Sequence, residues 1–328
     1  MGWFVRRCHV AAAALCVAAA LGCGPTITST PVRFAGPTGA PGEETRAPLE
    51  LEGFAACTGD QPDAIALEPD QPLVVIVHGC FSSGSQFERL AEVFEFHGQQ
   101  ALCFNYDYRR TLRAAAVHLQ RGLERLRREL PGQRITVLAH SQGGLVSRIA
   151  LSMGEPPPAE AGDLRLVTVS SPFSGIDAAR HCGWAWLHVV SLGFTTAVCQ
   201  AVTGANWVEI HPRSAYWQEP RPLHPAVSEH LQIVTDEAGT CRRRDEEGAC
   251  VEDDLVFSTD EQENARMATD ERVHVRVLPA GHAAVVGGGG HVPRELVGVL
   301  QEHGVLAPTP PEREGELSAL LRRLYARF

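Results

Sequence analysis

Lysine is absent from the 328 residues, so every basic side chain other than histidine is arginine. That excludes Schiff-base chemistry on a lysine amine and a phosphate-cradling loop that ends in lysine. Positive charge is also scarce overall: Lys plus Arg number 29 against 39 Asp plus Glu, a formal net charge of −10. Removal of residues 1–22, which carry Arg6 and Arg7, would take this to −12 (−10 minus 2), and such a balance offers no footprint for nucleic acid. The cysteines include no paired C-x-x-C, so neither a zinc site nor any other metal or cofactor is expected. Internal repeats are lacking. What is present is an ordinary globular composition, 44% hydrophobic and 21% charged, sufficient for a full core.

The longer apolar stretch near the start, Val10 to Leu21, is too short to cross a bilayer and follows Arg6 and Arg7, the proportions of a signal peptide over 1–22. Its end, Ala20-Leu21-Gly22-Cys23, resembles a bacterial lipobox, which implies lipidation of Cys23 and an exported lipoprotein of the cell envelope held to the membrane by its N-terminus. Soluble periplasmic export is the alternative. Residues 23–70, rich in Pro, Gly and Glu, read as a tether with an irregular edge strand near Phe54 to Thr58. In an oxidising compartment the odd set Cys57, Cys80, Cys103, Cys182, Cys199, Cys241 and Cys250 leaves one thiol without an internal partner. Cys241 with Cys250, and then Cys182 with Cys199, are the pairs that short loops suggest; Cys57, Cys80 and Cys103 are not assignable from sequence.

From 71 to 305 apolar runs alternate with amphipathic stretches. Leu73 to Val77, Ala101 to Asn105, Ile135 to Ala139, Leu164 to Val169, Leu231 to Thr235 and Arg272 to Leu278 read as strands, Leu73 to Val77 as an unbroken apolar run of the kind buried on both faces of a parallel sheet and Ile135 to Ala139 and Leu164 to Val169 as buried too. Ser85 with Glu88 suggests a capping box opening one helix, Thr111 to Leu130 a second, and Pro293 to His303 a closing one. These predict an α/β fold with helices on both faces of a mostly parallel, doubly wound sheet. The rhythm breaks over 176–229, a Trp-rich insertion that is either a cap over the site or a packing excursion. A charged helical tail, 306–328, closes the chain, and a monomer is expected.

Ala139-His140-Ser141-Gln142-Gly143-Gly144 sits where a strand runs into a helix, with small residues two positions either side of Ser141. A serine alcohol presented on such a turn becomes nucleophilic when a His takes its proton and a carboxylate orients that His. After Ser141, His282 follows the last strand with a loop and helix still to come; His291 is a lesser candidate. For the acid, Asp253 and Asp254 compete, with Asp236 and Asp260 more remote.

Residues 73–300 resemble the bacterial triacylglycerol lipase and esterase branch of the α/β-hydrolases. His78-Gly79-Cys80 is similar to that family's oxyanion loop and the stretch around Ser141 to its elbow. Ser171-Pro172-Phe173-Ser174-Gly175 is similar to its Thr-Pro-His-x-Gly segment with Phe173 in place of His; Asp253-Asp254-Leu255-Val256 is similar to its Asp-Gly-Leu-Val, and Gly281-His282 to its Gly-His. The resemblance implies an α/β-hydrolase fold with a cap insertion, a Ser141–His282–Asp253 triad, oxyanion donors on Cys80 and Gln142, and a serine esterase or lipase acting on acyl esters or lipids. Acyl transfer, thioester or amide cleavage on the same triad, and a binding lipoprotein with a silent site, are the alternatives.

Overall fold

The computed structural model describes residues 27–34, 47–154, 163–176 and 208–325. The signal peptide, Cys23, Cys182, Cys199 and most of the expected cap lie outside them. Seven strands make the central sheet, in the order β11 (Val273–Leu278), β8 (Val227–Thr235), β7 (Leu164–Val169), β6 (Ile135–His140), β4 (Leu73–Val77), β5 (Gln100–Phe104) and β2 (Phe54–Ala55). All pairings are parallel except β2 with β5, an antiparallel edge.

Why the inner strands read as unbroken apolar runs is visible in β4. Alternate side chains of a strand leave on opposite faces. Leu73, Val75 and Val77 enter one core, and Val74 and Ile76 the other. All five are at most 1% exposed, and full burial of such a side chain is worth about 1.5–3 kcal/mol. The first core is closed by α2 (Leu112–Glu129) and α3 (Gln142–Ala150), the second by α1 (Glu88–Phe96), α5 (Arg294–Glu302) and α6 (Glu314–Tyr325). Thr111 caps α2 by accepting the Ala114 N–H at 3.3 Å.

Three local expectations change. Ser85 does not cap α1: a 3₁₀ turn, Gly84–Phe87, precedes the helix, and the Ser85 hydroxyl bonds Ser83 Oγ at 2.9 Å instead. The expected tether is partly built into the domain, since Leu51, Phe54 and Leu67 are core residues and β1 (Val32–Phe34) pairs with β3 (Ile65–Leu67). The C-terminal helix is packed into the second core against α1 rather than peripheral, through Leu321, Leu324 and Tyr325. Of the insertion at 176–229, the described part includes the short helix α4 (Ala215–Gln218), whose Trp217 is buried against Phe173.

Candidate active site

β6 ends at His140 and α3 begins at Gln142, leaving Ser141 alone to turn the chain. Its φ of 56° and ψ of −129° lie where an L-residue is strained. The turn is held by the Ser141 N–H on Val169 O at 2.9 Å. It also needs Gly143 and Gly144, because a Cβ on Gly143 would lie 2.5 Å from the Val77 and His78 carbonyl oxygens and one on Gly144 2.0 Å from Ser171 Oγ. Among the described residues three non-glycines have positive φ: Ser141, Phe81 at 54° and Ser170 at 48°. Phe81 follows the His78-Gly79-Cys80 loop and Ser170 follows β7, so all three belong to loops leaving the C-terminal ends of adjacent strands.

The loop after β4 is braced by a neutral imidazole. His78 Nδ1 donates to Gly79 O at 2.8 Å, its Nε2 accepts the Tyr106 N–H at 3.3 Å, and the two rings stack at 4.5 Å. Burial lowers the His78 pKa to about 4, overriding the Gly79 bond that favours the cation. Cys80 is exposed as a residue, but its thiol turns inward and donates to Gln142 Oε1 at 2.6 Å. Burial pushes that thiol up to about 12, so it stays a donor. Gln142 in turn donates from Nε2 to Tyr108 O at 3.1 Å. The two residues expected to offer oxyanion amides are therefore joined side chain to side chain, and the Gln142 N–H is the first amide of α3, which has no acceptor within the helix.

His282 lies four residues past the end of β11 and is 7% exposed. Its Nδ1 is 2.7 Å from Ser170 Oγ and 3.1 Å from Glu237 Oε1. Glu237 is 1% exposed and held from every side: Ser170 Oγ and Thr235 Oγ1 donate to Oε1 at 2.7 and 2.8 Å, and the Val256 and Phe257 amides donate to Oε2 at 2.5 and 2.8 Å. Burial works to raise the Glu237 pKa, but the His282, Ser170 and Phe257 bonds outweigh it and hold the group down at about 2. Below the imidazole, His140 approaches ring to ring at 4.7 Å and its Nε2 donates to His282 O at 2.9 Å. Burial, with the neighbouring His282, lowers His140 to about 3, so it is a neutral support.

Glu237 is thus the carboxylate against His282, and Asp253 is not brought to it. Asp253 ends β10 (Cys250–Asp253), an exposed strand that pairs with β9 (Cys241–Arg244) in a hairpin whose register is irregular. It faces Cys241 across that hairpin. The next residue, Asp254, turns inward and is fully buried, but its carboxylate bonds Arg242 and the Ala283 and Ala284 amides. Sequence reasoning passed over Glu237 although Asp236 and Glu237 directly follow the strand that ends at Thr235, where a carboxylate must stand to meet a histidine leaving the neighbouring strand. Cys241 and Cys250 form a disulfide, as do Cys57 and Cys103, and Cys80 is a free thiol. Among the described residues no group of three or more His, Cys, Asp or Glu could hold a metal ion.

A family profile described as alpha/beta hydrolase fold matches residues 72–188. No curated protein matches the chain. Among solved structures, the mature form of a Bacillus licheniformis lipase is 14% identical, with 76% of this chain and 96% of that one covered at a TM-score of 0.49. A Pyrococcus furiosus esterase is 16% identical (78% and 84% covered, TM-score 0.37), and a lipase-esterase related protein from Clostridium acetobutylicum 10% identical (73% and 96% covered, TM-score 0.41). The family match over the first βα units and the seven-stranded order with its strained serine between β6 and α3 agree: the chain has the α/β-hydrolase fold.

Proposed function

We propose that this chain is a serine esterase of the lipase and esterase kind, hydrolysing carboxylic esters through an acyl-enzyme on Ser141, with His282 as base and Glu237 as orienting acid. The observation that carries it is the buried Glu237–Ser170–His282 cluster beside a strained serine that begins a helix: one carboxylate with four donors converging on it, and one imidazole nitrogen fixed by it. With Nδ1 engaged, Nε2 is the nitrogen that takes the Ser141 proton as Oγ attacks the ester carbonyl carbon. The oxyanion meets the Cys80 and Gln142 amides. Collapse breaks the acyl C–O bond, the proton passes from His282 to the departing alcohol, and water, activated the same way, releases the acid and restores Ser141. A silent binding site would have no use for backbone strain at Ser141, Phe81 and Ser170 together.

Exposed Phe81, Leu255 and Val256 flank the oxyanion loop and the Glu237 amides, which favours an acyl group with apolar surface. In the same proposal the enzyme works at the cell envelope, as a monomer anchored through lipidated Cys23; mass spectrometry finding an unmodified N-terminus on the mature protein would remove the anchor. The activity is tested with a chain-length series of nitrophenyl esters and a fluorophosphonate probe. Turnover by the wild type, none by Ser141→Ala and a probe adduct on Ser141 are expected; labelling elsewhere, or an active Ser141→Ala protein, would overturn the reading.

A further inference from the structure

Asp254 binds three consecutive residues of the loop that carries His282. Its carbonyl oxygen accepts the His282 N–H at 3.0 Å, both carboxylate oxygens accept the Ala283 N–H at 3.1 Å, and Oδ2 accepts the Ala284 N–H at 2.9 Å. The carboxylate can come this close because residue 281 is glycine; a Cβ there would stand 2.2 Å from Oδ2. On its other side Arg242 closes a fork on Oδ1, from Nε at 3.0 Å and Nη2 at 2.9 Å. Arg242 follows Cys241, so its strand is tied to β10 by the Cys241–Cys250 disulfide. A buried carboxylate is costly unless paired and hydrogen-bonded, and here every bond it makes is spent on the histidine loop or on the arginine that holds it there.

We propose that Asp254, clamped by Arg242, is a positioning residue for His282: Glu237 sets the rotation of the imidazole, and Asp254 sets the backbone from which it projects. The inference rests on His282 being the base. Around that imidazole stand Glu237 and Ser170 at Nδ1, neutral His140 beneath, the Phe257 ring edge-on at 5.0 Å, and the Asp254–Arg242 pair behind the loop. Arg242 also bonds Glu252 from Nη1 at 3.3 Å, and removing the charge of Asp254 or that of Arg242 changes the charge behind the imidazole in opposite senses.

The test measures kcat, KM and the pH profile of kcat/KM for Asp254→Asn, Arg242→Met, Arg242→Lys and the double variant, with Arg323→Ala, which pairs with Glu92 of α1 away from the site, as the control that stays at wild type. Expected is a fall in kcat of up to about 100-fold for Asp254→Asn, the cost of misplacing a reacting group by about 1 Å, with KM within about two-fold. The double variant should be no worse than Asp254→Asn, because the two residues act through one another. The acidic midpoint of kcat/KM should move down in Asp254→Asn, which removes an anion behind the imidazole, and up in Arg242→Met, which removes a cation; Arg242→Lys should restore the midpoint and part of kcat. Wild-type kcat and midpoint in folded variants, or additive losses in the double, would overturn the proposal. Arg242 is 36% exposed where Asp254 is buried, so the Arg242 variants decide the matter if Asp254→Asn does not fold. Ser141→Ala in the same series separates the failures: if it is active the triad reading falls, and if it is dead while the pair's variants are wild type only the positioning role falls.

Discussion

The two sides of the site are built by different means. On the elbow side, Ser141, Gly143, Gly144 and the His78-Gly79-Cys80 loop are organised by contacts among residues at and just after the ends of β4, β6 and β7, and each glycine answers a close approach: Gly143 that of the Val77 and His78 carbonyls, Gly144 that of the Ser171 side chain, Gly79 that of the Ser141 Cβ. On the acid side, Glu237, Ser170 and His282 come from the ends of β8, β7 and β11, and no short stretch contains two of them. A local turn leaves its requirements in consecutive residues. A meeting of three strand ends leaves only a preference for position, which several carboxylates can satisfy.

The sharpest way to break that comparison is at the carboxylates. Glu237→Gln keeps shape and loses the charge that stabilises the imidazolium, and turnover should fall by about 10⁴-fold, as when an orienting acid is neutralised in a serine triad. Asp253→Asn should stay near wild type, since that residue is exposed at the hairpin end. Steady-state kcat on one nitrophenyl ester decides it; the reverse pattern would return the acid to Asp253. Because Glu237 is held near pH 2, it is ionised across the working range, and a kinetic step between pH 4.5 and 7 belongs to another group.

Ser170→Ala tests the link between acid and base. The hydroxyl accepts the His282 Nδ1–H at 2.7 Å and donates to Glu237 at 2.7 Å, while the direct distance from His282 Nδ1 to Glu237 is 3.1 Å. Its loss leaves Glu237 with Thr235 and two amides, so the carboxylate stays and only the bridge goes. A fall in kcat of about ten-fold, one charge-assisted hydrogen bond's worth, is expected with KM unchanged; no change would mean that Nδ1 is oriented by Glu237 alone.

These expectations mark what could be read from the sequence. The inner strand runs, the helix from Thr111, the serine turn and the Gly-His loop were legible because burial on both sheet faces and close packing constrain neighbouring residues in a fixed pattern, whereas the edge strand β11 is largely exposed. The carboxylate beside His282 was misread because Asp253-Asp254-Leu255-Val256 has the look of a motif, yet a hairpin with an irregular register turns Asp253 outward and Asp254 toward backbone amides. Glu237 carried a positional signal only, two residues beyond β8. The 3₁₀ turn ahead of α1 was illegible for a different reason: Gly84 N–H takes Asn105 Oδ1, a tertiary bond that outcompetes the local cap.

On the elbow side the corresponding probe is Cys80→Ala. It removes the S–H bond to Gln142 but neither oxyanion amide, so kcat should drop by only about two- to five-fold, the worth of one modest hydrogen bond. The thiol, pushed up to about 12, should alkylate slowly at pH 8 despite the exposure of its residue, because the thiolate is the reactive form. Rapid modification by iodoacetamide would mean that the thiol does not hold its bond to Gln142.

The two sides should also lose stability in different pH windows, the smallest effect and one that leaves the chemistry untouched. His78 and His140 on the elbow side, and His230 beneath Thr168, are buried neutral, with burial lowering them to about 4, 3 and 3. In the unfolded chain an imidazole takes up its proton near pH 6.5. Below that pH the unfolded state therefore binds more protons than the folded one, and stability falls as pH drops from about 6.5 toward the folded values. Glu237 is depressed to about 2 from an ordinary carboxylate value, so its contribution is whole above about pH 4.5 and lost only as pH falls from there toward 2. Thermal midpoints of wild type and Glu237→Gln between pH 8 and 3 separate the two. Both proteins should decline together from about pH 6.5, and only the wild type should show the added loss at the acid end. A flat wild-type curve from 6.5 to 4.5 would mean that the buried imidazoles gain protons without opening the fold, and the elbow side would no longer be the acid-sensitive one.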